Sequence, residues 1–362
     1  MEEVTLTPKE RNTLYGLVRF PDLNDRALAE VLDEKMSTVT SIRRRLHDRG
    51  YFTKVRIPRF ERLGCEIMCI SHGSFKPVMP YGNELLAKAD ETIPATYFGI
   101  SNPYHFVMLG ASRNFTDARE TYDGYYRNDR FLKAVDERNL VFSFLSYPLT
   151  TVLNFFEFAP LLRNLFGITD KDNAPTDASV NGKARRRIDP SEPSAGLDEL
   201  STTERKVLLG LVRFPELPDK ALSDKIKVSR QVVSKMRRML ETEGYVRTAI
   251  IPDLAKLGMG MIIFTHYTLN PKTAGSFNEK SLIGTKEGLP SFFLCSGPFE
   301  FYSLSAFKSY QDFERVSERY YKLYTENKAL LGSPIILPFS IEDLTFFRNH
   351  TYANILKNVL GL

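Results

Sequence analysis

Apolar residues recur along the chain in two alternating rhythms, and the whole alternation occurs twice. Leu14, Leu17 and Val18 sit at helical spacing and stop at Pro21; Leu208, Leu211 and Val212 do the same before Pro215. Ungapped, Leu6–Gly64 aligns with Leu200–Gly258, and roughly a third of the aligned positions are identical, too many over so long a shared spacing for coincidence. The chain is a tandem of one unit.

Each copy opens with a capping box, Thr7-Pro8-Lys9-Glu10 and Ser201-Thr202-Thr203-Glu204, which predicts a first helix. Asp25 and Asp219 are expected to cap a second, short helix carrying Ala27, Leu28, Val31 and Leu32, or Ala221, Leu222 and Ile226. A third helix follows through Val39, Ile42 and Leu46, or Val233, Met236 and Leu240, ending at Gly50 or Gly244, where glycine suits a left-handed C-terminal position. The first copy has Lys35 where the second has the capping Ser229, so its third helix is expected to start later, at Ser37. Three such helices make a helix-turn-helix, and Tyr51–Ile57 and Tyr245–Ile251 read as a reduced β wing.

The remainder of each copy alternates differently. Strands are expected at Ile67–Ser71, Thr96–Ile100, His105–Ala111 and Val141–Ser146, with counterparts at Met261–Thr265, Ser291–Cys295, Glu300–Ala306 and Ile335–Ser340. A helical or irregular stretch separates the first two strands, and a long helix, Asp117–Arg127 or Asp312–Tyr324, precedes the last. This β-α-β-β-α-β order is ferredoxin-like. A terminal helix, Thr151–Phe166 or Thr345–Leu360, completes each unit, and its Glu157 and Arg163, or Arg348, His350 and Lys357, place it on protein rather than across a bilayer. The predicted fold class is therefore α+β. The domains run 5–62 (first winged helix-turn-helix), 63–168 (first ferredoxin-like domain with its terminal helix), 169–198 (a polar, flexible linker), 199–256 and 257–362.

At this point the chain resembles the Lrp/AsnC family of feast/famine regulators. The resemblance is carried by Ser229, Val233, Leu240, Gly244-Tyr245-Val246 and Ile251–Gly258, and in the first copy by Val39, Leu46, Gly50-Tyr51-Phe52 and Leu63-Gly64. It implies a sequence-specific, double-stranded DNA-binding regulator whose ferredoxin-like (ACT/RAM-like) domains pair, either as a homodimer or as a pseudo-dimer within one chain, and take a small-molecule effector. Family members usually carry one unit per chain. Their β2–β3 turn tends to read Thr-Gly followed by Asp, where this chain has Ser101-Asn102-Pro103-Tyr104-His105 and Ser296-Gly297-Pro298-Phe299-Glu300. Ser101, Asn102, His105, Ser296, Gly297 and Glu300 are the effector-site residues that the resemblance suggests.

A recognition helix presents hydroxyls or amides near its N-terminus and cations beyond. The first copy offers Ser37, Thr38, Thr40, Ser41, Arg44 and Arg45; the second offers Ser229, Arg230, Gln231, Ser234, Lys235 and Arg238. Arginine and glutamine read G and A edges, whereas Ser, Thr and Lys more often hold phosphates. The alternative is an ordinary solvated face, against which stands the lack of an acid on these sides before Asp48 and Glu241. Lys54, Arg56 and Arg247 are weaker candidates, and the linker run Lys183–Arg187 is expected to be solvating.

Net charge is +5, too weak to argue for nucleic acid by itself. Cys65, Cys69 and Cys295 lie in apolar runs and fit reduced buried thiols; no cysteine or histidine spacing suits a metal, and no cofactor is expected. His72 and His266, at matching strand ends, are expected to make local hydrogen bonds, and Tyr125-Tyr126 and Tyr320-Tyr321 to pack helices. The polar N-terminus and the absence of a long apolar run point to a cytoplasmic protein without a membrane span. No phosphate loop, catalytic triad or carboxylate pair is present in the sequence pattern, so the protein reads as a regulator and not an enzyme. The enzyme alternative is a sirohaem-decarboxylase-like activity, since those enzymes resemble the same regulators; the third alternative is an interaction scaffold that no longer touches DNA.

Overall fold

The computed structural model describes residues 6–76, 95–127, 129–168, 200–273 and 290–362. The linker with its Lys183–Arg187 run, and the stretches expected between the first two strands of each ferredoxin-like domain, lie outside these residues. The architecture is α+β in two tandem units, each a winged helix-turn-helix followed by a ferredoxin-like sheet and a terminal helix.

The first helix-turn-helix consists of α1 (Pro8–Arg19), α2 (Asp25–Leu32) and α3 (Met36–Asp48), followed by strand β1 (Phe52–Pro58). Strands β2 (Ile67–Ser74), β3 (Thr96–Ser101) and β4 (His105–Ser112), helices α4 (Phe115–Tyr126) and α5 (Asp129–Ala134) and strand β5 (Val141–Ser146) come next, then β6 (Thr151–Phe155) and α6 (Ala159–Phe166). The second copy supplies α7 (Thr202–Arg213), α8 (Asp219–Ile226), α9 (Arg230–Thr242), β7 (Val246–Pro252), β8 (Met261–Thr268), β9 (Ser291–Ser296), β10 (Glu300–Phe307), α10 (Tyr310–Glu326), β11 (Ile335–Ser340), β12 (Thr345–Arg348) and α11 (Tyr352–Leu360).

Local chemistry sets the helix starts. Both capping boxes form: Thr7 accepts from Glu10 N while its own N–H donates to Glu10 Oε2 at 2.8 Å, and Ser201 and Glu204 repeat the exchange at 2.7 Å. Two cap expectations are corrected. Asn24, not Asp25, caps α2 by accepting from Ala27 N, and Pro218 precedes α8 with no side-chain cap. Asp25 and Asp219 fall in the first turn, where their carboxylates favour the positive end of the helix dipole. Helix α3 starts at Met36, not Ser37; Lys35 stands at its cap without a side-chain bond, because Val39 N and Thr38 N both bond to the Lys35 carbonyl and carry the first turn.

The terminal elements differ from the expected single helices. Thr151–Phe155 and Thr345–Arg348 are strands, and only Ala159–Phe166 and Tyr352–Leu360 are helical. A left-handed residue breaks each segment, Phe156 at φ 54° and His350 at φ 54°, conformations a helix cannot contain. Each sheet has the ferredoxin order extended by one of these strands. The sequence is β5-β2-β4-β3 with β12 beside β3, and β11-β8-β10-β9 with β6 beside β9. The edge strand of each sheet thus comes from the other repeat: Thr345 pairs with Ser101 and Phe346 with Ile100, while Thr151 pairs with Ser296 and Val152 with Cys295.

The described residues divide into two compact bodies. One draws on Met1–Lys54, Thr151–Asp189 and Ala249–Glu342, the other on Val55–Thr150, Pro190–Thr248 and Asp343–Leu362. In the first, α6 packs on α1 and on β9; in the second, α11 packs on α7 and on β3. The helix-turn-helix of one repeat therefore shares a body with the sheet of the other. Tyr97, Phe60 and Tyr352 cluster in the second body, with ring centroids 5.2 to 6.2 Å apart. Phe156, Phe158 and Phe292 do so in the first, at 4.9 Å for the stacked Phe158–Phe292 pair. Large buried aromatic rings of this kind supply about 150–250 Å² of burial each, the main apolar gain of such joints.

Candidate nucleic-acid interface

The recognition helices α3 and α9 are fixed by a stripe of buried apolar residues, Val39, Ile42 and Leu46 in one and Val233 and Leu240 in the other. Arginine anchors set their tilt. Arg43 pairs with Asp25 at 2.9 Å and donates to the Leu23 carbonyl at 3.2 Å; Arg237 pairs with Asp219 at 2.8 Å and donates to the Leu217 carbonyl at 3.2 Å. Half-burial lowers the pKa of both guanidiniums, and the facing aspartates oppose the shift. Each guanidinium thus bridges an aspartate and a backbone carbonyl, which holds the third helix against the second.

Of the residues expected on the first reading face, Ser37, Thr40, Ser41 and Arg44 are exposed and Thr38 is half-buried. Thr40 Oγ1 is already committed, donating to Asp25 Oδ2 at 2.7 Å. Arg45 is also committed: its Nε donates to Glu10 Oε1 at 2.9 Å, so it ties α3 to α1. Burial works to raise the Glu10 pKa, but hydrogen bonds from Thr7 and the Arg45 charge outweigh it and hold the carboxyl below its usual value. Arg44 is 84% exposed and lies 3.6 Å from Asp48, itself 62% exposed.

The second face is different. Arg230, Gln231, Lys235 and Arg238 are exposed, and among the described residues none of the three cations has an ion-pair partner. Ser234 is half-buried, and Ser229 caps the helix, its Oγ accepting from Val232 N at 3.4 Å. An open groove beside the start of α9 is lined by Lys220, Ser223, Asp224, Lys227, Ser229 and Arg230. Lys220 and Lys227 were absent from the sequence-based set; a position-by-position comparison of the copies marks Lys227, because it stands where the first has Asp33.

Of the wing candidates, Lys54 and Arg247 are half-buried and Arg56 turns inward. Arg56 is 3% exposed and ion-paired with Glu241 on α9, which removes it from any surface role. Arg62 lies over the Tyr245 ring, 5.2 Å from its centroid, and Lys256 donates to the Arg49 and Gly50 carbonyls at 2.7 and 3.1 Å, closing the end of α3.

The hairpin residues expected to hold an effector are largely occupied in building their turns. Asn102 Oδ1 accepts from Tyr104 N and His105 N at 2.9 and 2.7 Å, and His105 Nδ1 lies 3.2 Å from Ser74 Oγ, with burial lowering its pKa. Ser101 is buried in the sheet beside Thr345. In the other copy Gly297 N donates to the Glu300 carbonyl at 2.8 Å, Ser296 Oγ donates to the Gly297 carbonyl at 3.3 Å, and Glu300 Oε1 is 3.5 Å from His266 Nε2. His266 also stacks on Tyr302 at 4.4 Å. His72 is buried inside β2, between Val107 and Val141 of the flanking strands, because the strand runs on to Ser74 and not to Ser71 as expected. Among the described residues no group of three or more His, Cys, Asp or Glu is placed to hold a metal, and no helix is long and apolar enough to cross a membrane.

No protein-family model matches the chain, and no curated protein does. Solved structures do. The siroheme decarboxylase NirDL superposes with a TM-score of 0.50 at 11% identity, over 97% of this chain and 98% of that one. NirDL in co-complex with an iron-uroporphyrin III analogue gives 0.51 at 11% identity, over 98% and 99%. LrpC of B. subtilis covers 39% of this chain and 94% of its own at 16% identity, with a TM-score of 0.29. At these identities the NirDL likeness shows a shared fold along nearly the whole chain.

Proposed function

We propose that this protein is a double-stranded DNA-binding regulator that docks its winged helix-turn-helix in the major groove. The observation that carries the reading is the face of α9, where Arg230, Lys235 and Arg238 stand exposed without ion-pair partners among the described residues beside an amide, Gln231, while the neighbouring Arg237 is consumed as an anchor. Unpaired cations on a recognition helix are the electrostatic footprint of phosphate and base-edge contact. Were both recognition helices to dock, their different faces would read an asymmetric site and not a perfect palindrome. Pairing of ferredoxin-like domains within or between chains, and a small effector near the hairpin turns, are the further parts of this reading.

The test is binding to random-sequence duplex across a salt series, followed by selection of a preferred sequence. Affinity should fall steeply with salt, with a slope of about 0.9 per neutralised phosphate. No binding at low salt removes the regulator reading.

A second reading rests on the full-length likeness to NirDL: a protein that binds or decarboxylates an anionic tetrapyrrole. Anaerobic incubation with sirohaem, followed by absorbance and product mass, tests it. A bound pigment or a product lacking carboxyl groups, in a protein that ignores DNA, would make this the correct assignment.

A further inference from the structure

The two helix-turn-helix copies present different electrostatics at the place where a duplex would dock, a cationic face in the second and a neutral one in the first. Along α9 the outward positions are Arg230, Gln231, Ser234, Lys235, Arg238 and Thr242; the equivalent positions on α3 are Met36, Ser37, Thr40, Ser41, Arg44 and Asp48. The second set holds three cations unpaired among the described residues and no carboxylate; the first holds three neutral side chains, a threonine bonded to Asp25, and one cation beside its own carboxylate. The groove before the helix diverges the same way. Lys220, Ser223, Asp224, Lys227, Val228 and Ser229 line it in the second copy, where the first has Arg26, Ala29, Glu30, Asp33, Glu34 and Lys35. There Arg26 lies 3.5 Å from Glu30 and Lys9 2.8 Å from Glu34, while Asp33 and Lys35 are exposed, so the first groove carries three carboxylates against two cations and the second one carboxylate against two. Backbone shape does not distinguish the copies: Asp33 and Lys227 occupy the same left-handed cap at φ 52° and 57°.

Resting on the DNA-binding reading, we infer that the second copy is the reading head and that the first does not dock on the duplex, so that each chain engages one half-site. A phosphate backbone repels the Glu30, Asp33 and Glu34 surface and attracts the Lys220, Lys227 and Arg230 surface. Within the half-site, Arg230 and Gln231, at the helix start, are the residues placed to read base edges, with guanine and adenine their natural partners.

The experiment uses the full chain with a duplex selected by the wild type. Arg238→Ala and Lys235→Ala should each weaken binding by about tenfold and shallow the salt slope by about one, while Arg44→Ala changes binding less than about twofold. Amine acetylation gives a readout without mutation: duplex should protect Lys220, Lys227 and Lys235 and leave Lys9 and Lys35 reactive. The paired graft Asp33→Lys and Met36→Arg should tighten binding by giving the first copy the second's charges. Equal losses from Arg44→Ala and Arg238→Ala, or protection of Lys35 alongside Lys235, would overturn the inference while leaving DNA binding intact. A wild type that binds no duplex at low salt overturns the DNA-binding reading itself and this inference with it.

Discussion

The ammonium of Lys256 donates to the carbonyl oxygen of Arg49 at 2.7 Å across 207 residues of sequence. It also reaches the Gly50 carbonyl, so one cation satisfies two acceptors at the C-terminal end of a recognition helix, where the dipole favours positive charge. Lys256→Ala should cost about 1 kcal/mol of stability and raise amide exchange through the last turn of α3. Hydrogen exchange on Arg49, Gly50 and Tyr51 checks it; unchanged protection would mean that water replaces the ammonium without loss.

Gly99 is forced by the exchanged strand. A Cβ there would lie 2.3 Å from the Phe347 ring. Gly99→Ala should lower stability by about 1–3 kcal/mol through overpacking, and the added substitution Phe347→Leu should recover part of it. Thermal unfolding of the two variants decides the matter, since a fault elsewhere in β3 would not respond to residue 347.

Acid sensitivity has an assignable source in His350. Burial, reinforced by the nearby Arg247, pushes its pKa from 6.5 down to about 3, and its ring packs on Phe98 with Nδ1 3.0 Å from the Tyr352 hydroxyl. The neutral ring is favoured in the folded chain, while the unfolded chain takes up a proton near pH 6.5. The contribution is therefore complete above pH 6.5 and declines as pH falls towards 3. His350→Phe, matching Phe156 in the other copy, should flatten the melting temperature between pH 6.5 and 4, and an unchanged slope would assign the sensitivity elsewhere.

Thiol chemistry should be silent in the native protein. Cys65, Cys69 and Cys295 are free and buried, and burial raises the pKa of Cys65 far up and that of Cys69 to about 11. A disulfide-exchange reagent should modify none of the three within minutes under native conditions and all three in denaturant. Fast native labelling would report an opening of the strands that carry them.

Much of the local structure was legible from single residues. The capping boxes, the proline stops and the glycine ends act within four positions, and the structure places helices where they predict. The exchanged strands were not legible. Thr151–Phe155 is too short to show a period, and its choice of strand depends on hydrogen bonds to Phe293 and Leu294 some 140 residues on, which no local pattern encodes. The site divided similarly. Arg43, Arg44 and Arg45 are one residue type in a row, yet Asp25 takes the first, Glu10 takes the third and the second reaches only Asp48 on its own helix. What separates them is the position of acids 18 and 35 residues upstream, a tertiary fact.

Severing the chain between residues 169 and 199 should leave the halves associated and folded, whereas either half expressed alone should lack a sheet edge and aggregate. Size-exclusion chromatography of a cleaved protein against the separate fragments distinguishes the cases.

Duplication ordinarily frees one copy of a gene to decay. Here the first copy lends Thr151–Phe155 to the second's sheet and borrows Thr345–Arg348 for its own, so neither half can be discarded by descent without unravelling the other. Each copy is then held in place by the strand it supplies to the other.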